Sequence, residues 1–161
     1  MKRLIPFTLI ALFSLPISVY AAIGDVNGET TCTIIKSLDK KAVKKSSCTY
    51  EGVVESSMKH TLSHIRYDLK SGELFETIDD STFDFNKKGD MLVLSSPTSI
   101  NDLPAKTIAV RVESYDIVPE QEMKERHKVD EAVFPDVLHC FKLEQYNEAF
   151  CIPYDVLVLV S

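Results

Sequence analysis

Tryptophan is absent from this chain, and glycine is scarce, with five in 161 residues. The first absence removes the broad aromatic platform on which sugar-binding clefts commonly rely. The second leaves no glycine-rich phosphate cradle, since neither G-x-G-x-x-G nor a Walker-type sequence occurs. Also missing is C-x-x-C, the spacing of thioredoxin-like redox sites and of many cysteine-rich zinc sites. No internal repeat of about 20 to 50 residues and no low-complexity linker divides the chain, which argues for one domain.

The long charge-free run is confined to the start. Residues 1–21 read MKRLIPFTLIALFSLPISVYA, with Lys2 and Arg3 ahead of an uncharged run from Leu4 to Val19. Val19 and Ala21 then supply small residues at cleavage spacing, as in a secretory signal peptide cut after Ala21. The run falls short of the ~20 apolar residues that span a bilayer and is interrupted by Pro6 and Pro16. The mature chain, 22–161, is therefore expected to be one exported β-rich domain, periplasmic or secreted, with no membrane span. Losing Lys2 and Arg3 takes 18 basic residues to 16 against 24 acidic, a formal charge of −8. A chain of that sign repels phosphate backbones, so nucleic acid is disfavoured and a cationic protein is the expected charged partner.

Four cysteines, Cys32, Cys48, Cys140 and Cys151, lie in the mature part. In an exported protein an even count reads as a disulfide framework. Three connectivities are possible, and hairpin geometry favours the local pairs Cys32–Cys48 and Cys140–Cys151. Placing Cys140 opposite Cys151 leaves a loop through Glu144, Gln145, Tyr146 and Asn147, and Asn147 tolerates a left-handed turn. Placing Cys32 opposite Cys48 centres a turn on Lys40 and sets Ile34 against Ser46. Each closed loop stabilises by about 3 kcal/mol in the chain-entropy picture.

The rest of the mature chain reads as strands and tight turns. Lys70-Ser71-Gly72 separates two apolar arms, with Gly72 free to take a positive φ. Phe83 and Phe85 alternate with Asp84 before Gly89 turns the chain. Ile108, Val110 and Val112 share one face, with Arg111 and Glu113 on the other. The segment 54–69 is ambiguous before Ser63, with Val54, Met58, Leu62, Ile65 and Leu69 near helical spacing, and reads as a strand after it, and DVLVLVS at 155–161 reads as a covered central strand. The exception is 119–130, where Pro119 suits a helix start and Glu120 and Glu122 its positive end. Glu120–Lys124 and Glu122–Arg126 are spaced to pair along such a helix. The expected fold is mainly β: an antiparallel barrel or sandwich of about eight short strands, a short helix or excursion near 119–130, and two disulfides.

Signals for catalysis are weak. Ser56 and Lys59 form an S-x-x-K without its companion elements. His60 and His64 lack the glutamate of H-E-x-x-H, and on a strand would sit roughly 13 Å apart. His139 points away from Cys140. Lys40, Lys41, Lys44 and Lys45 gather on the first hairpin as a solvated turn. A glycosidase-type carboxylate pair stays open on sequence alone. No cofactor, metal site or catalytic residue is expected.

In outline the chain is similar to small disulfide-braced periplasmic proteins of Gram-negative bacteria, among them lysozyme inhibitors and toxin-immunity proteins. The likeness is architectural and rests on no diagnostic residue. A non-catalytic binding protein, such as an inhibitor or immunity protein against a cationic enzyme or toxin, is the favoured expectation. An envelope-maintenance component comes second and a small hydrolase third. Loops would carry recognition, with Asp79, Asp80 and Asp84 in one acidic stretch and Glu120 and Glu122 in the 119–130 excursion as candidate contacts.

Overall fold

The structure, a computed structural model, describes residues 22–87, 91–128, 134–154 and 156; the expected signal peptide and the turn at Gly89 lie outside them. In chain order come β1 (Ala22–Ser37), β2 (Ala42–Ser56), β3 (His60–Leu69), β4 (Leu74–Phe85), β5 (Met91–Ser95), β6 (Thr98–Ile100), β7 (Leu103–Arg111), α1 (Glu120–Lys128), β8 (Val137–Leu143) and β9 (Ala149–Pro153). Strands β1 to β4 pair consecutively and antiparallel. One flank of β4 then takes β6 along Thr77–Asp79 and β5 along Thr82–Phe85, so two short strands share a lane. Pairing continues from β6 through β7 and β8 to β9, which returns to β1. The nine strands thus form one up-and-down ring of eight lanes, a barrel.

Period-two alternation builds the interior. Along β3, Ile65, Tyr67 and Leu69 are buried, while His64, Arg66 and Asp68 between them are exposed. Register carries the inward set around the ring to Ile34, Ile100, Phe141, Phe150 and Ile152. Eight lanes enclose a space that side chains can fill. Here Phe150 lies between Phe75 and Tyr67, at ring-centroid distances of 4.4 and 5.0 Å. Each large side chain buried this way contributes about 1.5–3 kcal/mol. The Tyr67 hydroxyl is fully buried without a hydrogen-bond partner, and the neighbouring Thr77 hydroxyl donates to the Ile65 carbonyl instead (3.4 Å).

A second core lies outside the ring. Ile108 and Val110 share a face as expected, but that face points outward, and Ala105 is the buried inward residue of β7. Strand β7 ends at Arg111, and Val112 belongs to a turn that folds back over the outer face. Val112 and Tyr115 of that turn cover Ile35, Val110, Leu138 and the Cys140–Cys151 bridge. Lys41 pairs with Asp116 at 2.9 Å and Lys45 sits over the Tyr115 ring at 5.6 Å, tying the turn to the first hairpin.

Both expected disulfides are formed. Cys140 lies directly opposite Cys151, and the hairpin turn falls at 144–148. The first hairpin differs in register by two residues. Thr30 faces Cys48, Cys32 faces Ser46, and Ile34 faces Lys44, so the bridged cysteines are diagonal neighbours with Cα atoms 5.8 Å apart. The turn through Leu38–Lys41, with Lys41 at φ 50°, and an irregularity between Ile35 and Ser37 set this register.

Strand β3 starts at His60, three residues before the expected boundary. Helix α1 occupies the expected excursion. Its Met123 packs with Val118, Phe134 and Val137, while the remainder of its surface is polar. The strand expected at 155–161 lies outside the described residues except for Val156, which is buried in the barrel core but helical rather than extended, β9 having ended at Pro153. Among the described residues the contact between β9 and β1 is three pairs long: Thr33, Ile34 and Ile35 face Cys151, Phe150 and Ala149. Among the described residues, 22–32 of β1 have a strand partner only in β2.

Candidate functional site

The five carboxylates singled out by the sequence do not form one surface. Asp79, Asp80 and Asp84 belong to β4, whereas Glu120 and Glu122 belong to α1, in the crossing between β7 and β8. Asp79 was expected in a turn or facing out; it is instead half-buried in mid-strand, on the inward side. Its parity with Phe83 and Phe85 was the signal that could have placed it there. Ser81 and Thr98 hydroxyls donate to it at 3.1 and 3.5 Å, and burial pushes its pKa above the usual carboxylate range.

The others are engaged by cations or basic side chains. Asp80 contacts His60 at 2.7 Å. Asp84 pairs with Lys59 at 3.1 Å and accepts the Phe85 N–H, and both contacts hold its pKa down. Glu120 pairs with Lys124 at 2.5 Å, which lowers its pKa. Glu122 accepts two hydrogen bonds from Arg111, at 2.9 and 2.8 Å, and lies 3.4 Å from Arg126. Both helix pairs expected from spacing are present, and Glu122 also fastens α1 to β7. Carboxylates so occupied offer little charge to a partner.

A different acidic surface is assembled by strand register. The outward side chains of β1 to β4 align in rows, one of them running Asn27, Glu51, Arg66, Glu76. The outer face is hollowed in two places, by about 630 Å³ beside Glu29, Thr49 and Asp68 and by about 570 Å³ beside Asp25, Glu51 and Glu76. Arg66 is held by Asp68 through two contacts of 3.1 Å, and His64 hydrogen-bonds Glu76. Among the described residues Asp25 and Glu29 show no salt bridge, while Glu51 stands directly opposite Arg66 and its charge helps raise the pKa of that guanidinium. Alternation in the stretch Asp25-Val26-Asn27-Gly28-Glu29 could have marked one polar face, but only register brings Glu51 beside it.

The catalytic and metal signals do not come together. Ser56 lies near Thr61 (3.5 Å) and Lys59 is turned to Asp84, so no Ser–Lys pair forms. His60 and His64 each bind a separate carboxylate on β4. Among the described residues no group of three or more His, Cys, Asp or Glu side chains is placed to hold a metal ion. His139 faces Phe141 and Tyr154, with ring centroids at 5.0 and 6.0 Å, and loss of hydration lowers its pKa to about 4. Of the hairpin lysines, Lys41 and Lys45 fasten the outer turn, and Lys44 pairs with Glu73. Among the described residues no helix is long and apolar enough to cross a membrane. In comparison with known proteins, the chain matches no family model, no curated protein and no solved structure.

Proposed function

We propose that this chain is a non-catalytic, exported binding protein, and that it recognises a cationic protein through the hollowed outer face of β1 to β3. The observation that carries this reading is the set of exposed carboxylates, Asp25, Glu29 and Glu51, of which Glu51 alone faces a cation, Arg66, held on a disulfide-braced sheet. Fixed charges on a rigid scaffold accelerate encounter with an oppositely charged partner and need little reordering on binding. The basic start followed by an uncharged run, together with four cysteines all in disulfides, supports an oxidising compartment outside the cytoplasm. An inhibitor or immunity protein acting on a basic enzyme or toxin fits this chemistry.

The test is capture from envelope extract by the native chain and by the Asp25→Asn/Glu29→Gln/Glu51→Gln variant. All three positions are exposed, so the variant should melt with the native protein. A basic protein retained by the native chain and lost by the variant, with an association rate that falls as salt rises, supports the reading. Equal capture by both, or an association rate indifferent to salt, rejects the acidic face as the recognition surface.

A further inference from the structure

Strand β9 parts from β1 towards its end. Thr33 faces Cys151, which would set Pro153 opposite Thr31, but the pairing stops at Thr33. Proline has no N–H to give to a ladder, and past Pro153 the chain enters a helical turn at Tyr154. A hollow of about 360 Å³ opens at this parting, between the second core and the cluster around Met123. Val112 and Leu138 come to it from the first group, and Phe134, Val137 and Tyr154 from the second. Phe134, Val137 and Leu138 are buried, so packing behind them fixes the walls. The volume falls in the ~300–1,000 Å³ range of small-molecule sites, which are mostly apolar with a few placed polar groups.

The polar side is specific. Lys45 on β2 faces Thr33 on β1 and is the single charged residue in the lining. Its hairpin neighbours Lys41 and Lys44 have carboxylate partners in Asp116 and Glu73. Among the described residues Lys45 has none, and its ammonium sits over the Tyr115 ring instead. Thr31 and Thr33, on one face of β1, bring two hydroxyls to the lining, and Thr33 is 1% exposed. An ammonium and two hydroxyls are donors for a carboxylate. We propose that this hollow binds a small amphiphilic acid, such as a medium-chain fatty acid, with its alkyl chain against Phe134 and Leu138 and its carboxylate at Lys45.

Charge selects the head of the ligand. The neighbouring carboxylates are held elsewhere, Asp116 by Lys41 and Asp136, next to Pro135 in the wall, by Arg126. Glu29 stands one outward position beyond Thr31, ~7 Å along the strand. A basic ligand would meet an uncompensated ammonium, and an uncharged one would leave it unused. The walls select the tail, since a free phosphate or a sugar would set polar groups against Phe134 and Leu138. The site shares no residue with Asp25, Glu29 and Glu51, so the inference does not depend on the acidic-face reading.

Isothermal titration calorimetry of the mature chain with octanoate and with octanol tests it. Octanoate should bind at one equivalent, and octanol about fivefold more weakly, the scale of a partly exposed ion pair. Lys45→Gln should weaken octanoate about fivefold and leave octanol unchanged, whereas Lys45→Arg should keep both affinities. Thr31→Phe, at an exposed position on the rim, should fill the hollow and weaken both ligands about tenfold. Thermal melting verifies that each variant keeps its fold, and should Thr31→Phe misfold, Val112→Phe takes its place. No heat of binding with octanoate would overturn the proposal. So would uptake of several equivalents, octanol bound as tightly as octanoate, a Lys45→Gln variant that loses both ligands alike, or affinities untouched by the filling substitution.

Discussion

Gly52 on β2 lies so close to the backbone carbonyl of His64 on β3 that a side chain has no room between them. A Cβ at Gly52 would overlap that oxygen and approach the Ile65 Cα to 2.7 Å. Both obstacles are backbone, so neither can swing aside. Gly52→Ala should therefore force the β2–β3 ladder apart and destabilise by about 3 kcal/mol. Gly24→Ala, whose Cβ would meet nothing within 4 Å, should be neutral or slightly stabilising. Equal denaturation midpoints for the two variants would contradict this close packing.

Tyr67 provides the opposite case. Its ring is well packed, but its buried hydroxyl lacks a partner, which burial makes unfavourable by about 1–3 kcal/mol. Tyr67→Phe keeps the ring and removes the oxygen, so it should raise stability by about 1 kcal/mol. A loss of stability on urea unfolding would show that the hydroxyl is satisfied in solution.

The bridges can be tested separately. Replacing both members of Cys32–Cys48, or both of Cys140–Cys151, with alanine should lower stability by about 3 kcal/mol in each case, since separations of 16 and 11 residues close loops of similar entropy. Unchanged unfolding free energies would remove the bracing role.

His139 gives the fold a specific acid sensitivity. Its pKa is lowered to about 4 in the folded chain by lost hydration, against about 6.5 when unfolded. The unfolded chain therefore takes the proton first, and stability declines as pH falls from about 6.5 to about 4, by about 2–3 kcal/mol in total. Above that window this group contributes no slope. His139→Phe should flatten the decline between pH 6.5 and 5, before most carboxylates begin to titrate. Unfolding free energies measured across that range, rather than absolute stability, are the readout. An identical slope in the variant would disprove the assignment.

Local chemistry was the legible part of this fold. Gly72 turns the chain at φ 95°, Asn147 lies in the turn opposite Cys140–Cys151, and Pro119 with two glutamates opens α1. These features depend on neighbours in sequence. The two-residue register difference at Cys32 was not legible, because Lys41 adopts its left-handed conformation without being glycine or asparagine. Alternation at Ile108 and Val110 shows which residues share a face but not which side of the sheet will be covered. Only the fold-back of Tyr115 turns that outward face into a core. The candidate site was hidden for a related reason, since Asp25, Glu29 and Glu51 are joined by register across a hairpin rather than by proximity in the chain.

The narrow contact between β9 and β1 has a consequence for how the ring comes to exist. Covalent links tie β1 to β2 and β8 to β9, each strand beside the contact being stapled to its outer neighbour, while Thr33 and Cys151 face one another with no staple between them. Consecutive hairpins can form as soon as their own residues are available, because each needs only local loop closure. The β1–β9 junction must wait for residues 149–151, over a hundred positions after Thr33, to arrive. Ring closure is thus the late, entropically demanding event of folding, and this three-pair line stands with β4–β6 and β6–β7 among the narrow junctions at which a finished ring would reopen. Amide hydrogens at Thr33 to Ile35 and Ala149 to Cys151 should then exchange earlier than those of the long β2–β3 ladder, even though their side chains are among the most deeply buried in the molecule.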